Sequence, residues 1–189
     1  MLGFEAPVSP ELVRHMLSQV AHRGPDDQGL YVSPDRRCAL AHARLSVVDL
    51  SASGHQPMSN EDATVWIVCN GEIYNSPELR WTLERRGHRF RSRSDTEVIL
   101  HLYEDVGTDV SRHLDGMFAF ALYDIARARL LLSRDHMGKK PLYYARANRA
   151  VLFASEPRAL LAHPGVTADL DLDGLGQYLA FRTTAPPRT

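Results

Sequence analysis

Apolar positions change their spacing several times along the chain, and each change marks an element. Behind Ser9-Pro10-Glu11, the residues Leu12, Val13, Met16, Leu17 and Val20 recur at helical spacing. The tripeptide is a helix start: a hydroxyl for free amides, a proline whose missing N–H costs nothing in the first turn, and an acid facing the helix dipole. The spacing predicts a helix from Pro10 to about Ala21, with Glu11, Arg14, His15 and Ser18 largely off the apolar face. From Gln28 to Asp49 the segments shorten, and Leu30 to Val32, Cys38 to His42 and Leu45 to Leu50 read as strands separated by turn residues. Thr64 to Cys69 is the strongest strand, a β-branched and aromatic run expected to stop at the turn-forming pair Asn70-Gly71.

Ser76-Pro77-Glu78 repeats the helix-start pattern, and Gly87 supplies a stop after Leu79, Leu83 and Arg86. Ser94 to Glu97 has the S-x-x-E form of a capping box, opening a helix through Val98, Ile99, Leu102 and Tyr103 that ends near Gly107. Met117 to Tyr123, Leu130 to Ser133, Pro141 to Tyr144 and Val151 to Ala154 then read as strands. An amphipathic stretch from Leu172 to Phe181 precedes a tail whose Pro186 and Pro187 suit a linker. Helical segments bracketing two clusters of strands predict an α+β domain with stacked sheets and helices outside them.

Composition narrows the picture without naming a function. A chain of 189 residues with 44% hydrophobic and 24% charged residues fits one soluble domain with its own core. Its 22 basic and 23 acidic residues nearly cancel, and no long basic run calls for nucleic acid. The arginines from His88 to Arg93 are followed at once by Ser94 and Asp95, as in a solvated turn. No apolar run approaches the roughly 20 residues of a membrane span, and Glu5, Pro7 and Pro10 interrupt any signal peptide, so a cytoplasmic location is expected. The two cysteines, Cys38 and Cys69, lack CxxC spacing and are flanked by apolar residues, which favours buried thiols. Neither a metal-ligand spacing nor a Ser-His-Asp pattern stands out, and no metal is expected.

Three short segments carry candidate chemistry. Asn70-Gly71-Glu72 sets an amide, an unhindered backbone N–H and a carboxylate at one strand end; the two N–H groups can form an oxyanion hole, and the acid can hold an ammonium. On the tripeptide alone, an Asn-Gly hairpin turn is the favoured reading. Arg44 presents a planar fork suited to a carboxylate. Asp95, at a helix start, can grip an ammonium or simply cap the helix.

Eight ordered runs resemble the glutaminase domain of glutamine-hydrolysing asparagine synthetases, members of the N-terminal-nucleophile class II amidotransferases. They are HRGPDD (His22 to Asp27), ARLSVVDLS (Ala43 to Ser51), GHQPM (Gly54 to Met58), NGEIYN (Asn70 to Asn75), SDTEVILHLYE (Ser94 to Glu104), GMFAFALYD (Gly116 to Asp124), SRDHMGKKPLYY (Ser133 to Tyr144) and FASEPRAL (Phe153 to Leu160). RLSVVDLS, GHQPM and GKKPLYY point to the asparagine-synthetase type more than to the glucosamine-phosphate or purine-pathway types. Related enzymes that make other amides share parts of this domain.

The resemblance implies a four-layer αββα sandwich that binds L-glutamine, hydrolyses its side-chain amide and passes ammonia to a synthetase domain. It assigns Arg44 to the glutamine carboxylate, with Leu45, Ser46 and the backbone around Val47 and Val48 lining the pocket. Glu72 and Asp95 take the α-ammonium, and Asn70 and Gly71 the oxyanion. The family's nucleophile is a cysteine heading a short Cys-Gly-Ile-Ala-Gly-like strand. Met1-Leu2-Gly3 stands here instead, and Gly3-Phe4-Glu5 resembles the residues just after that strand. Residues 1–181 are thus expected to form the amidotransferase domain without its first strand, and residues 182–189 the start of a linker. No cofactor is expected in this chain, since ATP and Mg belong to the synthetase domain, and the full-length family is compatible with a homodimer. Hydrolysis is not expected of these residues alone; the alternatives are a non-catalytic glutamine-binding or regulatory relic and the glutaminase domain of another amide-forming synthetase.

Overall fold

A computed structural model describes residues 1–3, 7–45, 52–147 and 149–185. Strand β1 (Leu2–Gly3) leads into helix α1 (Pro10–Ser18), where the Ser9 hydroxyl accepts from the Leu12 N–H at 3.2 Å and Val13, Met16 and Leu17 are buried. The helix ends short of Ala21, and a tighter 3₁₀ turn covers Ala21–Arg23. Strands β2 (Asp27–Val32) and β3 (Ala39–Arg44) form an antiparallel hairpin. Strands β4 (Met58–Ser59) and β5 (Val65–Ile73), helices α2 (Ser76–Arg85) and α3 (Thr96–Val106), and strands β6 (Gly116–Asp124) and β7 (Arg129–Arg134) come next. Strands β8 (Tyr143–Ala147) and β9 (Ala150–Ala154) and helices α4 (Pro157–Leu161) and α5 (Leu172–Phe181) complete the order.

Strand alternation sorts these elements into layers. One antiparallel sheet has the order β4-β5-β6-β7. Its outer face carries Ile67, Cys69, Phe118, Phe120 and Leu122, which pack with Leu83 of α2 and Val98, Ile99 and Leu102 of α3. On the second side, β8-β9-β1 is joined through a Leu2–Cys38 bridge to the β2-β3 hairpin. The outer face of this sheet buries Leu152 with Met16 and Leu160, and Ala39 with Val8 and Val13, beneath α1 and α4. Between the sheets lie Cys38, Leu40, Val68, Ala121 and Tyr123, so the section runs helix, sheet, sheet, helix. This is the αββα arrangement the resemblance implied. Among the described residues, no helix is long and apolar enough to cross a membrane.

Several local expectations change. Asn70-Gly71 is not a turn: β5 runs through it to Ile73, paired with β6 from Val65↔Asp124 to Ile73↔Gly116. The glycine is needed because a Cβ at Gly71 would lie 2.2 Å from the Met117 carbonyl oxygen and 2.7 Å from the Phe118 Cα. Ser76 begins α2 instead of capping it, and the preceding Asn75 reaches across to the His113 carbonyl and the Asp115 N–H. The capping box ahead of α3 forms only in part. Ser94 Oγ accepts from the Thr96 N–H, but Glu97 turns away to accept from the Arg91 and Ser92 N–H groups. Leu45 lies past the end of β3, and the rest of the strand expected to Leu50 lies outside the described residues. Helix α5 matches the predicted span, yet Leu172, Tyr178, Leu179 and Phe181 are exposed and only Gly174 is buried.

Candidate functional site

Side chains alternate across a strand, so Leu40, His42 and Arg44 share one face of β3, and Trp66, Val68, Asn70 and Glu72 share one face of β5. Leu40 and Val68 meet in the core between the sheets. Both rows therefore turn from apolar to polar toward the same end of the sandwich. A cavity of about 500 Å³ opens there, and Arg44, Leu45, Asn70, Gly71, Glu72 and Asp95 all line it. Six of the nine residues singled out in the sequence come together in this way; Ser46, Val47 and Val48 lie outside the described residues.

The cavity carries opposite charges on different elements. Arg44 comes from the end of β3, Glu72 from β5, and Asp95 from the residue just before α3. Asp95 does not cap that helix; its carboxylate accepts from the Ile73 N–H at 2.7 Å, tying the helix start to the end of β5. Burial holds its pKa above the usual aspartate value against its hydrogen bonds, and the nearby Glu72 charge adds to the rise. A site with a guanidinium, two carboxylates and an intervening amide can hold a small zwitterion and polarise a carbonyl between its ends.

Two further residues set the backbone of β5. His42 donates from Nε2 to the Cys69 carbonyl at 3.2 Å, which leaves Nδ1 as a buried acceptor without a partner. Burial lowers the His42 pKa to about 4, so the ring is neutral. Gln56 accepts on Oε1 from the Cys69 N–H at 2.7 Å and donates from Nε2 to Thr96 Oγ1 at 3.4 Å. The peptide groups of Cys69 are held on both sides, immediately before Asn70. Gln56 stands in the GHQPM run and His42 two positions before Arg44, but only the folded pairing reveals what they touch.

The loops behind the cavity are clipped by ion pairs. Glu156 accepts from Arg23 and Arg158 and meets His22 Nε2 at 3.1 Å, while His55 Nδ1 meets Asp27 at 2.6 Å. His22 thus has a structural place in its loop. Neither cysteine is poised to react: burial pushes the Cys38 thiol up to about 11 and the Cys69 thiol up to about 12.

Comparison with known proteins is consistent across sequence and fold. A family model described as a glutamine amidotransferase domain matches residues 1–189. Asparagine synthetase [glutamine-hydrolyzing] 3 of Bacillus subtilis is 40% identical over 176 residues, 92% of this chain and 28% of that protein. Asparagine synthetase [glutamine-hydrolyzing] 3 of Arabidopsis thaliana is 48% identical over 143 residues, 75% of this chain and 24% of that protein. The chain therefore spans about a quarter of the length of these relatives. Among solved structures, glutamine phosphoribosylpyrophosphate amidotransferase from B. subtilis, complexed with ADP and GMP, superposes with a TM-score of 0.70 at 21% identity. That match covers 82% of this chain and 41% of the other, a likeness of fold.

Proposed function

We infer function from one premise, that the chain belongs to the glutamine amidotransferase domain family. We propose that its cavity binds L-glutamine as the ammonia-donating site of an asparagine-synthetase-like enzyme. The observation that carries this reading is the convergence of Arg44, Asn70, Gly71, Glu72 and Asp95 on one cavity. Arg44 holds the α-carboxylate, Glu72 and Asp95 hold the α-ammonium, and the side-chain amide lies toward Asn70 and Gly71. The Asn70 amide and the Gly71 N–H then stabilise the oxyanion that forms when the amide carbon is attacked.

Attack itself needs an activated thiolate, and Cys38 and Cys69 are buried with raised pKa values. We therefore assign glutamine binding to these residues, and hydrolysis to the family's N-terminal cysteine, a role that neither buried thiol fills. Use of the released ammonia to amidate aspartate with ATP and Mg belongs, on this reading, to the larger part of the relatives that this chain does not span.

Calorimetry with the 189-residue chain tests the binding assignment. L-glutamine should bind saturably, and Arg44→Ala should weaken it by roughly 2 kcal/mol, about 30-fold, as expected when a charged partner is removed. Absence of heat at millimolar glutamine, with the fold confirmed by circular dichroism, would rule the assignment out. Release of ammonia by the same 189-residue chain would overturn the separation of binding from hydrolysis.

A further inference from the structure

A second cluster of ligand-type side chains lies further along α3 from Asp95. Three segments meet there: the turn carrying Glu61, the stretch after α2 carrying His88, and α3 itself with Glu97, His101 and Glu104. One ligand atom from each of Glu61, His88 and His101 lies within 4.8 Å of the other two. Glu104 Oε2 stands 3.0 Å from His101 Nδ1 and 3.3 Å from His88 Nδ1, and Glu61 Oε2 stands 3.6 Å from His101 Nδ1. Donor atoms on a tetrahedral ion with bonds of about 2.0–2.1 Å sit roughly 3.3 Å apart, close to these three spacings.

The surroundings are organised as they are around metal-bound imidazoles, whose second nitrogen faces a carboxylate. His88 Nε2 lies 3.0 Å from Asp105 Oδ1. His101 Nε2, fully buried and without a hydrogen bond, lies 3.7 Å from Glu97 Oε1. The carboxylates are themselves held: Asn60 Nδ2 donates to Glu104 Oε1 at 2.7 Å, and the Arg91 and Ser92 N–H groups donate to Glu97 at 2.7 and 2.8 Å. Arg86 pairs with Asp105 at 2.6 Å, which leaves Glu61, Glu97 and Glu104 to face two histidines.

We propose that Glu61, His88 and His101, with Glu104 beside both histidines, form a structural divalent-cation site whose nitrogen and oxygen donors suit Zn²⁺. The ion fastens α3 to the Glu61 turn and to the segment after α2. It thereby steadies the helix that starts directly after Asp95. None of these residues lines the cavity that holds Arg44, Asn70 and Asp95, so the site has a structural and not a catalytic character.

The test titrates the chelator-treated 189-residue chain with Zn²⁺ by calorimetry, and with Co²⁺ by visible spectroscopy. One ion per chain, a rise in Tm on Zn²⁺ addition and tetrahedral Co²⁺ bands are expected. His88→Gln and Glu61→Gln change partly exposed side chains and should keep the fold, checked by circular dichroism, while each weakens Zn²⁺ binding by at least about tenfold. A folded protein that takes up no Zn²⁺ would reduce the cluster to a proton-held ion-pair network. Uptake that neither substitution alters would place the metal elsewhere. Either result overturns the proposal.

Discussion

His42→Gln isolates one buried histidine through its titration. The glutamine side chain retains a donor for the Cys69 carbonyl but cannot take up a proton. In the folded chain His42 has a pKa of about 4 against an ordinary 6.5, so between these values the unfolded chain binds a proton that the folded chain does not. Its contribution to stability is present above 6.5 and is lost as pH falls toward 4. The full gap is about 3 kcal/mol, and about 2 kcal/mol of it is lost between pH 7 and pH 5. Urea midpoints for the wild type and His42→Gln at those two pH values give the comparison, because other titrating groups are common to both proteins. The wild type should lose about 2 kcal/mol more than the variant, equivalent to roughly 4–8 °C in Tm for a domain of this size. Equal losses in the two proteins would show that His42 titrates normally and is not desolvated as its burial between the sheets requires.

Other substitutions probe different links. Gly71→Ala should cost roughly 1–3 kcal/mol or more, because its Cβ would meet the Met117 carbonyl oxygen at 2.2 Å and force β5 from β6; an unchanged urea midpoint would contradict the observed register. In a chain extended to carry the family's cysteine, Asn70→Ala should lower kcat by roughly 10²–10³ with a smaller change in KM, as for removal of an oxyanion donor, and unimpaired turnover would remove it from that role. Glutamine affinity should fall on acidification with a midpoint above the ordinary aspartate value of 3.8, since burial raises the Asp95 pKa and its charged form holds the ammonium. Calorimetry across that range in wild type and Asp95→Asn checks this: the acid-side loss should be smaller in the variant, where Glu72 is the remaining acid for the ammonium and binding is weak throughout.

Local chemistry was legible from the sequence wherever a few neighbouring residues decide the outcome. Ser9 caps α1 because its hydroxyl needs only the amide three residues on, and Gly107 ends α3 because φ of +62° suits glycine. Asn70-Gly71 misled for the opposite reason. Local turn preference there is outweighed by continuous pairing with β6, whose residues lie far along the chain, and Gly71 serves close backbone approach instead of a positive φ. The cavity residues were found through ordered motifs, since no local rule places Arg44 opposite Asn70 and Glu72. That relation emerges only once alternation on β3 and β5 is combined with two sheets packed face to face. The contacts of His42 depend on that same packing, as those of Glu61, His88 and His101 depend on the folding of a turn and a loop against α3. In both places a side chain is defined by what approaches from another element. The same geometry gives β5 its double function: one face buries Ile67 and Cys69 against the helices, while the other exposes Asn70 and Glu72 to the cavity. A substitution on the helix face that shifts the strand along its axis should therefore impair glutamine binding without touching a ligand-facing side chain.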